Sequence, residues 1–158
     1  MTKTADLCDR YGERLQVLDP LFRHYTGRRE FAGRIVTVKV HEDNALVRTA
    51  LGRNGAGQVL VIDGGGSLRS AVVGGQVAQL AADQGWEGLL VYGCVRDTHE
   101  LARIPLGVLA LATCPVPPGK NGFGETDVPV RLAGAVLRPG EYLYADDDGV
   151  VVAAAPLD

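Results

Sequence analysis

The stretch VLVIDGGGSLRSAVVGG, Val59 to Gly75, decides the fold. Gln58 to Ile62 is a continuous apolar run, the pattern of a strand buried on both faces in an α/β sheet. It enters Asp63-Gly64-Gly65-Gly66, where a dinucleotide loop would sit if a helix followed at once. Ser67 to Val73 is not a convincing helix, and the next strand, read as ending at Gly93, has no carboxylate at its tip to hold a ribose. The first glycines therefore read as a shaped turn. The second pair, Gly74-Gly75, precedes the best helix of the chain. Val77, Ala78, Ala81 and Ala82 share its apolar side, and Gly85 closes it. Glycines at a helix start leave the first N–H groups uncovered, which makes either a tight turn or a cradle for a carboxylate or phosphate. A nearby cation would favour the cradle.

Outward from this centre, Thr4 is expected to cap a short helix over Leu7 to Tyr11, and Ile35 to Val40 is a β-branched strand. Asp43-Asn44 precedes a helix over Ala45 to Leu51, stopped by Gly52. Gly88 to Tyr92 is another buried strand, and Ile104 to Thr113 is again apolar. Pro115 to Asp127, rich in Gly and Pro, reads as an exposed loop. Four strands are expected at Val128–Leu132, Ala135–Leu137, Glu141–Tyr144 and Val150–Ala153, with turns at Pro139-Gly140 and Asp148-Gly149. The order implies α/β layers around a mixed sheet or two sheets.

The 158 residues suit one domain, with 46% hydrophobic and 22% charged residues. A net charge of −3 argues against nucleic acid as a direct partner. The basic cluster Arg23, His24, Arg28, Arg29 reads as solvated surface. No apolar run has the length to cross a bilayer, and the polar start MTKTADLCDRYGE lacks the centre of a signal peptide, so the expected compartment is the cytoplasm. Cys8, Cys94 and Cys114 form neither a C-x-x-C pair nor an even set, and Cys94 reads as a buried small hydrophobe.

The cation follows the strand after the helix. Arg96-Asp97, with Glu100 three residues on, falls where α/β sheets place their sites. Arginine offers a planar fork to a carboxylate, and aspartate can hold a hard divalent ion.

Gly75, twenty residues, Arg96-Asp97, two residues and Glu100 together fit the pattern G-x20-R-D-x2-E/D. The chain thereby resembles the RraA-like proteins, which include regulator of ribonuclease activity A and the class II 4-hydroxy-4-methyl-2-oxoglutarate (HMG) aldolases. ADLCDRYG, GRREFAG, TVKVHEDNALVR, VLVIDGGGS, WEGLLVYGCVRD, GETDVPV and LYADDDGVVV extend the likeness over nearly the whole chain. The resemblance implies one swivelling β/β/α domain over residues 1–158, assembled as a homotrimer or hexamer with sites between subunits. It implies that Gly74, Gly75, Gln76 and Val77 bind the carboxylate of a small 2-oxo acid through backbone amides. Arg96 would contact the keto acid, Asp97 would ligate Mg²⁺ or Mn²⁺, and Glu100 is the acidic position associated with aldolase competence.

The activity so implied is metal-dependent cleavage of HMG and related 4-hydroxy-2-oxo acids to pyruvate, with oxaloacetate decarboxylation through the same enolate. A Schiff-base route is disfavoured because Lys3, Lys39 and Lys120, the only lysines, lie outside the motif. The alternative is a regulator that binds and inhibits RNase E. A demethylmenaquinone methyltransferase label, attached to some relatives, finds no methyl-donor site in the sequence. His99 is read as surface, Asp146-Asp147-Asp148 as a β-turn, and Trp86 as a cover for the core. Gly124-Glu125 is placed as a possible neighbour of another subunit's site.

Overall fold

The computed structural model describes residues 1–157. Its centre is four parallel strands: β3 (Phe31–Lys39), β4 (Gln58–Asp63), β6 (Gly88–Val95) and β7 (Gly107–Thr113). Antiparallel strands extend the sheet on both sides. Beyond β3 lie β11 (Tyr142–Ala145), β12 (Val150–Ala153) and β1 (Leu15–Val17), and beyond β7 lies β2 (Arg23–His24). Two short strands join off this path, β5 (Ala71–Val73) on β6 and β8 (Glu125–Thr126) on β3. A separate ribbon pairs β9 (Val130–Leu132) with β10 (Ala135–Leu137). The expected α/β fold with a mixed sheet is the one observed.

Period-two alternation on β4 divides its side chains between two cores. Leu60 and Ile62 face one core with the helices α2 (Ala45–Leu51) and α3 (Gly75–Asp83). Val59 and Val61 face the other, against Val130, Leu137, Leu143 and Val152 of the C-terminal strands. Both faces are covered, which is why the run from Val59 to Ile62 is apolar without interruption.

Phe31 explains two glycines. Gly88 and Gly107 are register partners on β6 and β7, and a β-carbon on either would collide with the Phe31 ring. Trp86 covers the core on the other face of the sheet, as expected. It is buried, and its indole N–H donates to the carbonyls of Leu51 and Arg53.

Several boundaries differ from the sequence reading. Helix α1 begins at Thr4 itself (Thr4–Tyr11), so Thr4 is its first residue rather than its cap. The capping is done from far along the chain: Asp146 accepts from the Thr4 N–H at 2.8 Å and from the Thr4 hydroxyl at 2.6 Å. The Asp146-Asp147-Asp148 run does form the turn between β11 and β12, closed by Asp146 N–H to Gly149 O. Strand β6 does not stop at Gly93 but runs to Val95, across a register shift between Val91 and Cys94. The basic cluster is also not uniformly solvated. Arg29 pairs with Asp147 and Arg28 with Glu87, while the His24 ring is buried against the Asp146 carbonyl.

Candidate active site

The glycine-rich turn is structural, as its sequence suggested. Asp63 Oδ1 accepts the Gly65 N–H at 2.9 Å, and the N–H groups of Gly64 and Gly66 both meet Tyr92 O. Gly65 and Gly66 have positive φ, at 68° and 71°. The turn returns the chain into β5, which delivers Gly74 to the carboxyl end of the sheet.

Gly74 is the N-cap of α3, and the first intrahelical bond runs from Ala78 N–H to Gly74 O at 3.0 Å. The N–H groups of Gly75, Gln76 and Val77 precede that bond and need partners from outside the helix. One is supplied from within the chain: Gly75 N–H donates to Asp97 Oδ2 at 2.8 Å. Of the four residues proposed for an anion cradle, Gly75 thus spends its amide on the proposed metal ligand. Gln76 and Val77 keep theirs.

Arg96 and Asp97 arrive on the extra length of β6. Arg96 N–H is tied to Val73 O at 3.0 Å, which fixes the end of β6 against the end of β5. Its guanidinium lies over Gly74 and reaches Pro115 O at 3.4 Å. Asp97 takes a left-handed conformation, φ 59° and ψ 46°, and caps the single turn α4 (Thr98–Leu101). This turn brings Glu100 against Gly75, with its carboxylate where a β-carbon of residue 75 would project. His99, on the same turn, is exposed, as expected.

These groups line one cleft of about 270 Å³, shared by Gly74, Gln76, Val77, Arg96, Asp97 and Glu100. Three further polar residues enter it that the motif did not reveal: Asn44, Arg48 and Lys120. Asn44 caps α2 by position, is buried, and leaves Oδ1 without a hydrogen-bond partner. Arg48 is one turn later on the same helix face. Lys120 is held at the cleft by Asp43, which accepts the N–H groups of Asn121 and Gly122 from below. Burial works to raise the Asp43 carboxyl. The N–H groups of Asn121, Ala45 and Gly122 outweigh it and hold it below the usual carboxylate range. Nothing in the sequence marks this pinning, because Asp43 and the loop it holds are nearly eighty residues apart.

Lys120 corrects one step of the sequence argument, since a lysine does stand beside the motif. Its exposed position suits a charge facing an anion better than a desolvated nucleophile. Cys94 behaves as read. It is buried, and burial first, then Cys114 nearby, pushes its thiol up, away from the thiolate a nucleophile needs.

The donor set fits a hard divalent ion. Asp97 Oδ1 and the Glu100 carboxylate make no hydrogen bond or ion pair among the described residues, and Asn44 Oδ1 is an orphaned acceptor in the same cleft. Among the described residues no cluster of three or more His, Cys, Asp or Glu forms a complete cage. Mg²⁺ characteristically uses one or two carboxylates and fills its other positions with water or substrate oxygens.

The model of the RraA-like family, described as Aldolase/RraA, matches residues 4–152. The chain belongs to the RraA-like family. A relative from Azotobacter vinelandii is 53% identical over 98% of this chain and 95% of its own, and one from Laribacter hongkongensis is 53% identical over 98% and 97%. Both are provisionally named 4-hydroxy-4-methyl-2-oxoglutarate aldolase. Two solved structures superpose with a TM-score of 0.97. One, described as the RNA-processing inhibitor RraA of Thermus thermophilis, is 48% identical, covering 100% of this chain and 96% of its own. The other, described as an S-adenosylmethionine:2-dimethylmenaquinone methyltransferase of Geobacillus kaustophilus, is 49% identical over 99% and 97%. Three activities are thus attached to one RraA-like fold, so the cleft must choose between them.

Proposed function

We propose that this RraA-like protein is a divalent-metal-dependent aldolase that cleaves HMG and related 4-hydroxy-2-oxo acids to pyruvate, and that it also decarboxylates oxaloacetate. The observation that carries the reading is the convergence of Arg96, Asp97 and Glu100 on the open N-terminus of α3, tied by the Gly75–Asp97 hydrogen bond.

In this reading the N–H groups of Gln76 and Val77 hold the pyruvyl carboxylate, helped by the positive end of the helix. Asp97, with Glu100 beside it, would hold Mg²⁺ or Mn²⁺, which supplies Lewis acidity to the keto oxygen. Cleavage breaks the C3–C4 bond as the C4 hydroxyl loses its proton, leaving an enolate of pyruvate that is then protonated at C3. Arg96 places a fixed positive charge where the enolate oxygen develops, a stabilisation larger in the transition state than in the substrate. Glu100 serves the proton leaving the C4 hydroxyl. Loss of CO₂ from oxaloacetate generates the same enolate and needs the same carboxylate cradle, divalent ion and Arg96, but no acceptor for a hydroxyl proton. The assembly proposed is a homotrimer with subunits meeting at the cleft. The exposed Leu68, Val116 and Phe123, on segments bordering it, offer the apolar surface.

The test is pyruvate release from HMG and from oxaloacetate, before and after EDTA. Turnover is expected to vanish with EDTA, return with Mg²⁺ or Mn²⁺, and fall at least ~10³-fold in Asp97→Ala. Metal-independent turnover, or full activity in Asp97→Ala, would remove the reading.

A second reading has support in the likeness to the Thermus RNA-processing inhibitor: a protein that binds an RNase E-type endonuclease and masks its surface. Absence of binding at micromolar concentrations of such an endonuclease would sink it.

A further inference from the structure

A second cavity, of about 370 Å³, lies away from the cleft, where the β1–β2 connection, the first half of β7 and the β11–β12 turn meet. Ala145, the last residue of β11, pairs with Phe31, the first of β3. The turn is therefore at the amino-terminal end of the parallel strands, opposite to Arg96 and Asp97. Leu18, Phe22, Leu109 and Val150 form the apolar wall, and all four belong to the core that contains Val59 and Val61.

The polar lining is of one kind. Asp19, Asp147 and Asp148 stand exposed at the rim. Arg29 answers Asp147, whereas the carboxylates of Asp19 and Asp148 make no hydrogen bond or ion pair among the described residues. Asp146 is spent on Thr4. His24 also lines the cavity, with its side chain only 7% exposed. Its Nε2 lies 3.0 Å from the Asp146 carbonyl oxygen, which can only accept, so this nitrogen carries the proton. Nδ1 is then a bare lone pair, buried and without a donor. No lysine, arginine, amide or hydroxyl side chain lines the cavity among the described residues. Its side chains thus offer acceptors and negative charge beside an apolar wall, and no free donor.

A ligand that answers this lining brings donors, positive charge and an apolar body together. The rim repels anions. A bare metal ion finds no cage, since no group of three or more His, Cys, Asp or Glu forms one among the described residues. We infer that the cavity binds an amphiphilic ammonium ion, a primary amine carrying a compact aryl or alkyl group. Asp19 and Asp148 hold the ammonium, His24 Nδ1 is its buried acceptor, and Phe22 and Leu109 receive the apolar group. The site is independent of the aldolase reading and needs no turnover to be seen.

The test is a titration of ¹⁵N-labelled protein, in its assembled form, followed by amide and imidazole resonances at about pH 8, above the ordinary histidine range. The probe is 2-phenylethylammonium. 2-Phenylethanol serves as its uncharged analogue, and methylammonium as the charge without the apolar body. The probe is expected to bind with Kd at or below about 1 mM, and both analogues at least about tenfold more weakly. The shifts should centre on residues 17–24 and 146–150 and include His24 Nδ1. The double variant Asp19→Asn, Asp148→Asn changes only exposed positions and should weaken the probe about tenfold with an unchanged melting transition. Equal binding of either analogue, an affinity unchanged in the double variant, an unmoved Nδ1 resonance or shifts centred on Gly74 to Val77 overturns the inference. A cavity covered by a second copy of the chain would show no binding at about 10 mM, and that result overturns it as well.

Discussion

A β-carbon at Gly75 would run into the Glu100 carboxylate, and one at Gly74 would come within 2.7 Å of Asp97 Oδ2. Neither glycine needs a left-handed backbone, since Gly74 has φ −126° and Gly75 is helical. Their requirement is space for two acids, which ties the glycine pair to Asp97 and Glu100 more closely than an anion cradle alone would. The obstacle at Gly75 is the far end of a flexible side chain. Gly75→Ala should therefore fold, with a melting temperature within a few degrees of wild type, because alanine also suits a helical backbone better than glycine. It should nevertheless lower kcat for HMG at least ~10-fold by turning Glu100 away. A variant that is both folded and fully active would show that the position of Glu100 is unimportant. The pattern linking Gly75 to Arg96, Asp97 and Glu100 was legible in the sequence as spacing. The exchange of the Gly75 amide with Asp97 was not, because it depends on the left-handed turn at Asp97.

At the scale of elements, α2 and the strands β10 and β12 match their expected limits, since each has its own punctuation: Asp43-Asn44 and Gly52, or turn residues on both sides. The short β1, β2 and β5 gave no signal, because two or three residues cannot show a period. Gly93 reads as a strand end in the sequence, yet β6 tolerates it at an irregularity and continues to the site. Arg48 and Lys120 were illegible for a different reason. Their meeting depends on Asp43 holding a loop nearly eighty residues away. Asp146 joins distant elements in the same manner, and it yields a stability prediction. Burial tends to raise its carboxyl, and hydrogen bonds from Thr4, Asp148 and Gly149 hold it below its ordinary value. A carboxyl depressed on folding contributes stability fully present above its unfolded pKa, about 4, and lost as pH falls through its folded value. Asp146→Ala should cost about 2 kcal/mol near neutral pH, read by urea denaturation, by orphaning the Thr4 donors. The difference from wild type should shrink on acidification below about pH 4; a constant difference would count against this account.

At the scale of the whole molecule, near-identical folds carry the names of an aldolase, an RNA-processing inhibitor and a methyltransferase, so the fold does not decide function. Function has to be read from the cleft, which holds a carboxylate pair, an open helix start, an orphaned asparagine oxygen and three cations. The family pattern made the fold, the acidic half of the cleft and Arg96 legible; tertiary contacts alone bring in Arg48 and Lys120. No helix of the described residues is long and apolar enough to cross a membrane. The central claim is that Asp97 holds a divalent ion beside a 2-oxo acid seated on α3. A crystal structure of the protein with Mn²⁺ and pyruvate, using the anomalous signal of manganese, tests it most directly. The account predicts a manganese peak about 2.2 Å from an Asp97 oxygen, with the pyruvate carboxylate accepting from the Gln76 and Val77 N–H groups. A manganese peak elsewhere, or pyruvate bound away from the start of α3, would contradict it.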